Sequence, residues 1–299
     1  MEPNNYFLVD VFTQRAFGGN PLAVFPYAKE MTSDQMQRIA SELNLSETTF
    51  VQAPINEGSD CTVRIFTPRR ELPMAGHPTL GTAFVLHNLK HLKPKSPQQF
   101  IFDEGIGPVR VGFTEADVEP RTFSMHQPQP EFGEKLDRRA VATWLGLSPT
   151  DLAPDLPVQI VSCGVPYIMV PIGTLEGIRL ASLNDAAAKE QLGERPSQEF
   201  LLFTHQTEQD GIDIHCRMFA PRFGVPEDPA TGSAQGPLAG YLTKYGQATG
   251  RPLRSEQGVE LGRPSQLTAE VVKENDVITG VIVSGQCVPM GEGRLYLDS

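Results

Sequence analysis

The chain has 299 residues, room for two domains of ordinary size, and 39% of them are hydrophobic, as in a folded globular protein. Its net charge of -11 argues against the basic face that nucleic-acid binding requires, and no apolar run reaches the ~18 residues of a membrane span. A small anionic substrate stays compatible with that charge, because a cleft can be positive inside an acidic protein.

Strands are expected at Tyr6 to Phe12 and Leu22 to Phe25, separated by the turn Phe17-Gly-Gly-Asn-Pro21. Thr32 starts a helix: Thr32 and Gln35 fit a capping box, Met31 can staple onto Met36, and Met36, Ile39, Ala40 and Leu43 form one apolar face ending at Asn44. Strands follow at Thr48 to Val51 and Cys61 to Phe66. Then comes Glu71-Leu-Pro-Met-Ala-Gly-His-Pro-Thr-Leu-Gly-Thr-Ala83, read as a loop and a helix start with His77 at the N-cap and Pro78 at the first helical position. Gln99 to Phe102, Val109 to Phe113 and Thr122 to Met125 are further strands, and Gln127 to Phe132 is the best linker.

The second half opens with a helix near Arg138 to Leu145. Strands at Val158 to Val161 and Tyr167 to Val170 flank Gly164-Val-Pro166, a faint echo of Gly19-Asn-Pro21. A helix is expected from Ala181 to Leu192, then strands at Phe200 to Phe203 and Ile212 to Phe219. Asp228 is read as the cap of a helix running to about Tyr245, with Gly246 as its stop. Val259 to Leu261, Leu267 to Val272, Val277 to Val283 and Leu295 to Leu297 complete the strands. Four widely spaced cysteines, Cys61, Cys163, Cys216 and Cys287, form no Cys-x-x-Cys pair and read as reduced core thiols. The opening Met1-Glu-Pro-Asn-Asn5 carries no signal pattern, so a cytoplasmic location is expected.

The two halves repeat. Arg64-Ile-Phe-Thr-Pro-Arg69 matches Arg217-Met-Phe-Ala-Pro-Arg222, His77-Pro-Thr-Leu-Gly-Thr-Ala83 matches Asp228-Pro-Ala-Thr-Gly-Ser-Ala234, and Glu104-Gly-Ile106 matches Gln257-Gly-Val259. Arg64 and Arg217 are 153 residues apart, whereas His77 and Asp228 are 151 apart. The expected architecture is therefore α+β, two pseudo-symmetric domains with strands around one Gly-rich helix each. They span residues 1–125, possibly completed by about 287–299, and 126–299. Two helix N-termini meeting at a cleft would offer unpaired N–H groups to an anion, most simply a carboxylate. Gly76, Gly81 and Gly232 are read as letting a ligand approach, and Ser233 and Thr82 as adding a hydroxyl. Asp228 alone could equally be an ordinary cap. Glu47, between Ser46 and Thr48, is either a solvated turn residue or a general acid/base whose pKa burial would raise. The six histidines show no metal-ligand spacing, and no dinucleotide or phosphate loop occurs, so neither metal nor cofactor is expected.

These segments resemble the PhzF family of phenazine-biosynthesis isomerases, with the diaminopimelate-epimerase-like fold. The resemblance is carried by Asp10-Val-Phe12, Gly19-Asn-Pro-Leu-Ala-Val24, Gln35-Met-Gln-Arg-Ile-Ala40, Asn44-Leu-Ser-Glu-Thr-Thr-Phe50 and both copies of the repeat, and it closes at Gly258-Val-Glu-Leu-Gly-Arg-Pro264. It implies two domains, each a barrel-like, mostly antiparallel sheet around a central helix, in a homodimer without cofactor or metal. It implies Glu47 as proton shuttle with His77 and Asp228 assisting, and Ser46, Gly76, Gly232 and Ser233 as substrate contacts. In the phenazine enzymes the substrate is trans-2,3-dihydro-3-hydroxyanthranilate, a proton leaving C3 and one returning at C1. The alternatives are an epimerase or isomerase on another metabolite, and a non-catalytic ligand-binding or interaction protein of the same fold. Epimerases of this fold use two opposed cysteines, but Ala75 and Thr231 stand at those positions and neither can act as a thiolate. The sequence departs from the phenazine enzymes at His126, where an acidic residue is expected, and at Arg69-Arg70 and Arg222-Phe223, which bring bulk and charge near the caps.

Overall fold

A computed structural model describes residues 3–297 except 91, 115–120, 194, 196 and 222–224. Its contacts divide the chain into two compact units, Met1–His126 with Ser284–Ser299, and Gln127–Val283.

The first unit runs β1 (Pro3–Val11), β2 (Asn20–Phe25), α1 (Ser33–Leu43), β3 (Glu47–Gln52), β4 (Cys61–Phe66), β5 (Glu71–Leu72), α2 (Gly76–Leu89), β6 (Gln99–Glu104), β7 (Gly107–Phe113) and β8 (Phe123–Pro128). The second runs β9 (Glu131–Lys135), α3 (Arg138–Trp144), β10 (Gln159–Ser162), β11 (Pro166–Pro171), α4 (Leu175–Leu180), α5 (Asp185–Leu192), β12 (Phe200–Thr204), β13 (Ile214–Ala220), β14 (Val225–Asp228), α6 (Gly232–Lys244), β15 (Leu253–Gln257), β16 (Ser265–Glu274) and β17 (Val277–Gly285). The chain ends in β18 (Cys287–Tyr296), which pairs antiparallel with β1 of the first unit.

The repeat is visible in the pairing. In the first unit β1–β2 is antiparallel, β2–β3 parallel, β3–β4 antiparallel, β4–β6 parallel and β6–β7 antiparallel. In the second the same succession is β10–β11, β11–β12, β12–β13, β13–β15 and β15–β16. Each unit thus lays a mixed, mainly antiparallel sheet around one helix, an α+β architecture.

The helix α1 forms as its sequence dictates. Thr32 accepts from Gln35 N, the Gln35 side chain returns to the Thr32 backbone, and Asn44 ends the helix in the left-handed region. Its apolar face, Met36, Ile39 and Ala40, packs on Phe25, Phe50 and Phe66, each large side chain contributing about 1.5–3 kcal/mol by burial. By contrast α2 is buried on every side from Gly76 to Leu86, the signature of a helix threaded through a sheet rather than laid on it. A Cβ at Gly81 would sit 2.6 Å from Leu22 Cδ2 and 2.8 Å from Val11 Cγ2. Gly81 is therefore a packing glycine against β1 and β2, not a point of ligand approach.

Other expectations need correction. The proposed linker at Gln127 to Phe132 is mostly strand, the end of β8 and the start of β9. The helix expected from Ala181 starts later, at Asp185, because Ala181 ends the preceding helix α4 and Asn184 caps α5. Val259 to Leu261 is a turn, and the neighbouring strand is β15. No described helix is long and apolar enough to cross a membrane.

Candidate active site

In the first unit, the αL residue Asn44 turns the chain out of α1 and a bend through Ser46 delivers Glu47 as the first residue of β3. The parallel register sets Leu22 opposite Glu47, so Asn20, at the start of β2, lies at the same end of the sheet. Both carry polar groups into the site: Glu47 is 8% exposed and Asn20 fully buried. Glu47 is thus an enclosed carboxyl and not a solvated turn residue.

His77 does not cap α2. The N-cap is Ala75, Gly76 is the first helical residue, and Pro78 is the third. His77 therefore projects from the first turn as a buried side chain, and burial pushes its pKa down to about 3. Its ring is neutral at working pH. The Asn20 amide nitrogen lies 3.1 Å from Nδ1, and an amide nitrogen only donates, so Nδ1 accepts and the proton resides on Nε2. Nε2 lies 3.3 Å from Glu47 Oε2, in contact but without hydrogen-bond geometry between the two atoms. A neutral N–H at this distance can turn to donate to the Glu47 carboxyl whether or not that carboxyl carries a proton.

The second unit shows a different set. Asp228 ends β14 and is not a helix cap either; Thr231 is the N-cap of α6 and Gly232 its first residue. Thr231 Oγ1 donates to Asp228 Oδ2 at 2.5 Å. Gln257, closing β15, locks the loop: its amide nitrogen donates to Asp228 O at 2.7 Å and to Thr231 Oγ1 at 3.0 Å, and its oxygen accepts from Thr231 N at 3.2 Å. The Ser233 and Tyr167 hydroxyls are 2.6 Å apart, and Gln127 donates to Gly232 O at 3.1 Å.

Neither Ala75 nor Thr231 makes a side-chain cap bond to its helix, so neither N-cap covers the first-turn N–H groups of α2 or α6. The true start of α2, Ala75-Gly76-His77, matches Thr231-Gly232-Ser233. His77 thus corresponds to Ser233 and not to Asp228, because the second copy is longer, not shorter, between its arginine and its helix. Ahead of each helix an arginine forks onto a glutamate: Arg64 reaches both oxygens of Glu71 at 2.7 Å, and Arg217 both oxygens of Glu227 at 2.8 Å. Each guanidinium also lies over a ring, Phe66 or Phe219.

The structure therefore gathers Ser46, Glu47, Gly76 and His77 in the first unit, and Asp228, Gly232 and Ser233 in the second. Asn20, Tyr167 and Gln257 were missed by sequence reasoning. The Gly-Asn-Pro and Gly-Val-Pro-Tyr turns were the available signal for the first two. Arg69 and Arg70 are exposed, and Arg222-Phe223 lies outside the described residues. Burial pushes the Cys61, Cys163 and Cys216 thiols up, and the two N-caps carry no thiol. Among the described residues no three His, Cys, Asp or Glu side chains are arranged to hold a metal ion.

A family model described as phenazine biosynthesis-like protein, PhzC-PhzF, matches residues 9–293. A Pseudomonas fluorescens protein named trans-2,3-dihydro-3-hydroxyanthranilate isomerase is 35% identical, covering 98% of this chain and 100% of its own. A crystal structure of a PhzF-family phenazine biosynthesis protein from Bacillus anthracis superposes with a TM-score of 0.90 at 26% identity, covering 99% of this chain and 100% of its own. A probable proline racemase from Agrobacterium radiobacter shares the fold with a TM-score of 0.65 at 12% identity, covering 98% of this chain and 93% of its own. The chain belongs to the PhzC-PhzF, phenazine biosynthesis-like family, and it is an isomerase.

Proposed function

We propose that the enzyme shifts a proton on a small cyclic carboxylate, with trans-2,3-dihydro-3-hydroxyanthranilate as its substrate and Glu47 as the acid/base. The observation that carries this reading is the buried Glu47 carboxyl beside a neutral His77 whose Nε2–H lies 3.3 Å away. Glu47 takes the proton from C3, the electrons of that bond move through the ring system, and a proton is delivered at C1. No C–N or C–O bond breaks, so substrate and product have the same formula, and the enol formed relaxes to its ketone by losing its O–H proton as a proton adds to carbon. His77 stays neutral throughout and donates to whichever Glu47 oxygen carries charge. The uncapped first-turn N–H of Gly76 is the contact for the substrate's carboxylate. Asp228, Gly232 and Ser233 are proposed as substrate contacts in their own right, and Ser46 as one beside Glu47.

Four free cysteines, three of them buried, support a cytoplasmic, reducing location. The substrate assignment is tested by incubating the protein with trans-2,3-dihydro-3-hydroxyanthranilate in D2O. Loss of substrate with deuterium appearing at C1 is expected. Failure to consume it, under conditions where the Pseudomonas relative does, would remove this substrate.

A further inference from the structure

Two hydroxyls on α2 have more contacts than protons. Thr82 and Thr79 each turn back onto the carbonyl four residues earlier, Pro78 O at 2.7 Å and Ala75 O at 2.6 Å. Each also meets a second oxygen: Thr49 Oγ1 is 2.8 Å from Thr82 Oγ1, and Glu104 Oε1 is 2.6 Å from Thr79 Oγ1. A hydroxyl has one proton and a carbonyl only accepts, so the second oxygen must bring its own proton. Thr49 has one to give. Glu104 has one only as a carboxylic acid. Ionised, it would leave one of two 2.6 Å contacts with no hydrogen between the oxygens.

The surroundings agree with the proton count. Glu104 is 7% exposed, and its Oε2 is buried without a hydrogen-bond partner, a costly place for a charged oxygen. Among the described residues, what acts on Glu104 brings no positive charge: burial and Thr79 shift it, and Glu104 acts with Asp60 and Asp103 on the Cys61 thiol at the start of β4. Burial pushes the Glu104 pKa up to about 8, the Thr79 contact opposing it. The other half of the chain offers the comparison. Where Glu104-Gly105 stands, the repeat places Gln257-Gly258, and there a neutral amide donates into the loop before α6. Both glycines let that strand end pack tightly on the cap loop: a Cβ at Gly105 would lie 2.7 Å from Pro73 Cα, and one at Gly258 2.5 Å from Pro229 O.

We propose that Glu104 is a positioning residue that works as a neutral carboxylic acid, donating to Thr79, which donates to Ala75 O, so that the Ala75–Gly76 peptide is fixed with its N–H at the head of α2. The Ala75 carbonyl and the Gly76 N–H are two ends of one planar unit. Holding the carbonyl sets the direction of the N–H, and polarising the amide strengthens it as a donor. The consequence for turnover rests on the reading above that Gly76 meets the substrate's carboxylate.

The test uses the full-length protein and begins without ligand. Infrared spectra at pH 6 should contain a protonated-carboxyl band that is absent in Glu104→Gln and fades in wild type with a midpoint near pH 8. The Gly76 amide resonance should shift over the same pH range in wild type and stay still in Glu104→Gln. Thr79→Val should displace that resonance at every pH, and Thr79→Ser should restore it. Binding of 3-hydroxyanthranilate, an aromatic counterpart of the proposed substrate that cannot be isomerised, should then weaken roughly tenfold from pH 7 to 9 in wild type, the worth of one hydrogen bond. In Glu104→Gln it should not change with pH. No band assignable to Glu104, or a Gly76 amide indifferent to its titration, overturns the proposal. Both signals present with no binding at any pH overturns instead the carboxylate role of Gly76.

Discussion

The second residue of each central helix shows what the two halves share and where they part. His77 and Ser233 occupy equivalent places in α2 and α6, and each is bonded from the equivalent strand of its own unit, by Asn20 on β2 and Tyr167 on β11. The scaffold is common to both: an arginine–glutamate fork, a short strand, an N-cap whose side chain makes no bond to its helix, and a carboxyl or amide from the end of a later strand. What differs is proton chemistry. The first unit places a buried carboxyl against a neutral imidazole, whereas the second offers hydroxyls and Asp228. A duplicated frame can thus keep its architecture in both copies and confine a buried carboxyl–imidazole contact to one.

The comparison is tested most strongly at the two forks. Arg217 is 8% exposed and also donates to Ile178 O at 2.9 Å and Ala181 O at 2.8 Å, holding the end of α4. Removing it leaves Glu227 and those carbonyls uncompensated, so Arg217→Ala should destabilise the protein by about 3–5 kcal/mol. The Arg64–Glu71 pair is more exposed, so Arg64→Ala should cost about 1 kcal/mol or less. Denaturant unfolding of both variants measures the gap, and equal costs would break the distinction.

Two buried groups of the first unit give opposite pH dependences. His77 falls from 6.5 to about 3 in the fold, so lowering the pH protonates the unfolded chain first and removes stability between about pH 6.5 and 3. Glu104 rises from 4.5 to about 8, so its stabilisation is whole below pH 4.5 and is lost as pH rises to 8. Between pH 4.5 and 6.5 the two slopes cancel. Their combined contribution should form a plateau there and fall by about 2 kcal/mol on either side, towards pH 3 and towards pH 8. Thermal or urea unfolding against pH checks this: His77→Gln should flatten the acid limb and Glu104→Gln the alkaline limb. A variant that flattens the opposite limb contradicts the assignment.

A modest effect, on turnover, is expected at Tyr167. Tyr167→Phe takes away one hydrogen bond to Ser233, and kcat/KM should fall roughly tenfold, by about 1–1.5 kcal/mol. Steady-state kinetics should show the loss in KM more than kcat if Ser233 binds the substrate without moving protons. An unchanged kcat/KM removes Tyr167 from the site.

Much of this was legible in the sequence, and the failures share a cause. The capping box of α1, its apolar face and the strand at Cys61 to Phe66 follow from local rules, and the structure shows them nearly residue for residue. The caps of α2 and α6 were misplaced because Pro78 and Asp228 are strong local signals for a helix start, yet neither starts one. Proline fits the third helical position as well, where its missing N–H is also one the helix leaves unpaired. Asp228 is held in strand geometry by Gln257, a contact across 29 residues that no window reveals. Gly81 was read as a ligand glycine because sequence shows its cost but not the Leu22 and Val11 side chains that demand it. Glu47 could be picked out but not decided, since its burial depends on Asn20 and His77 arriving from elsewhere in the chain.

The central claim is that the proton moves through Glu47. The direct measurement is exchange of substrate hydrogen with D2O, followed by NMR, for wild type and Glu47→Gln, with folding of the variant confirmed by its unfolding curve. Glutamine keeps the size and a hydrogen-bonding end but cannot take the proton, so deuterium incorporation should fall by about 10²–10⁴-fold. Incorporation by Glu47→Gln at the wild-type rate would contradict the account.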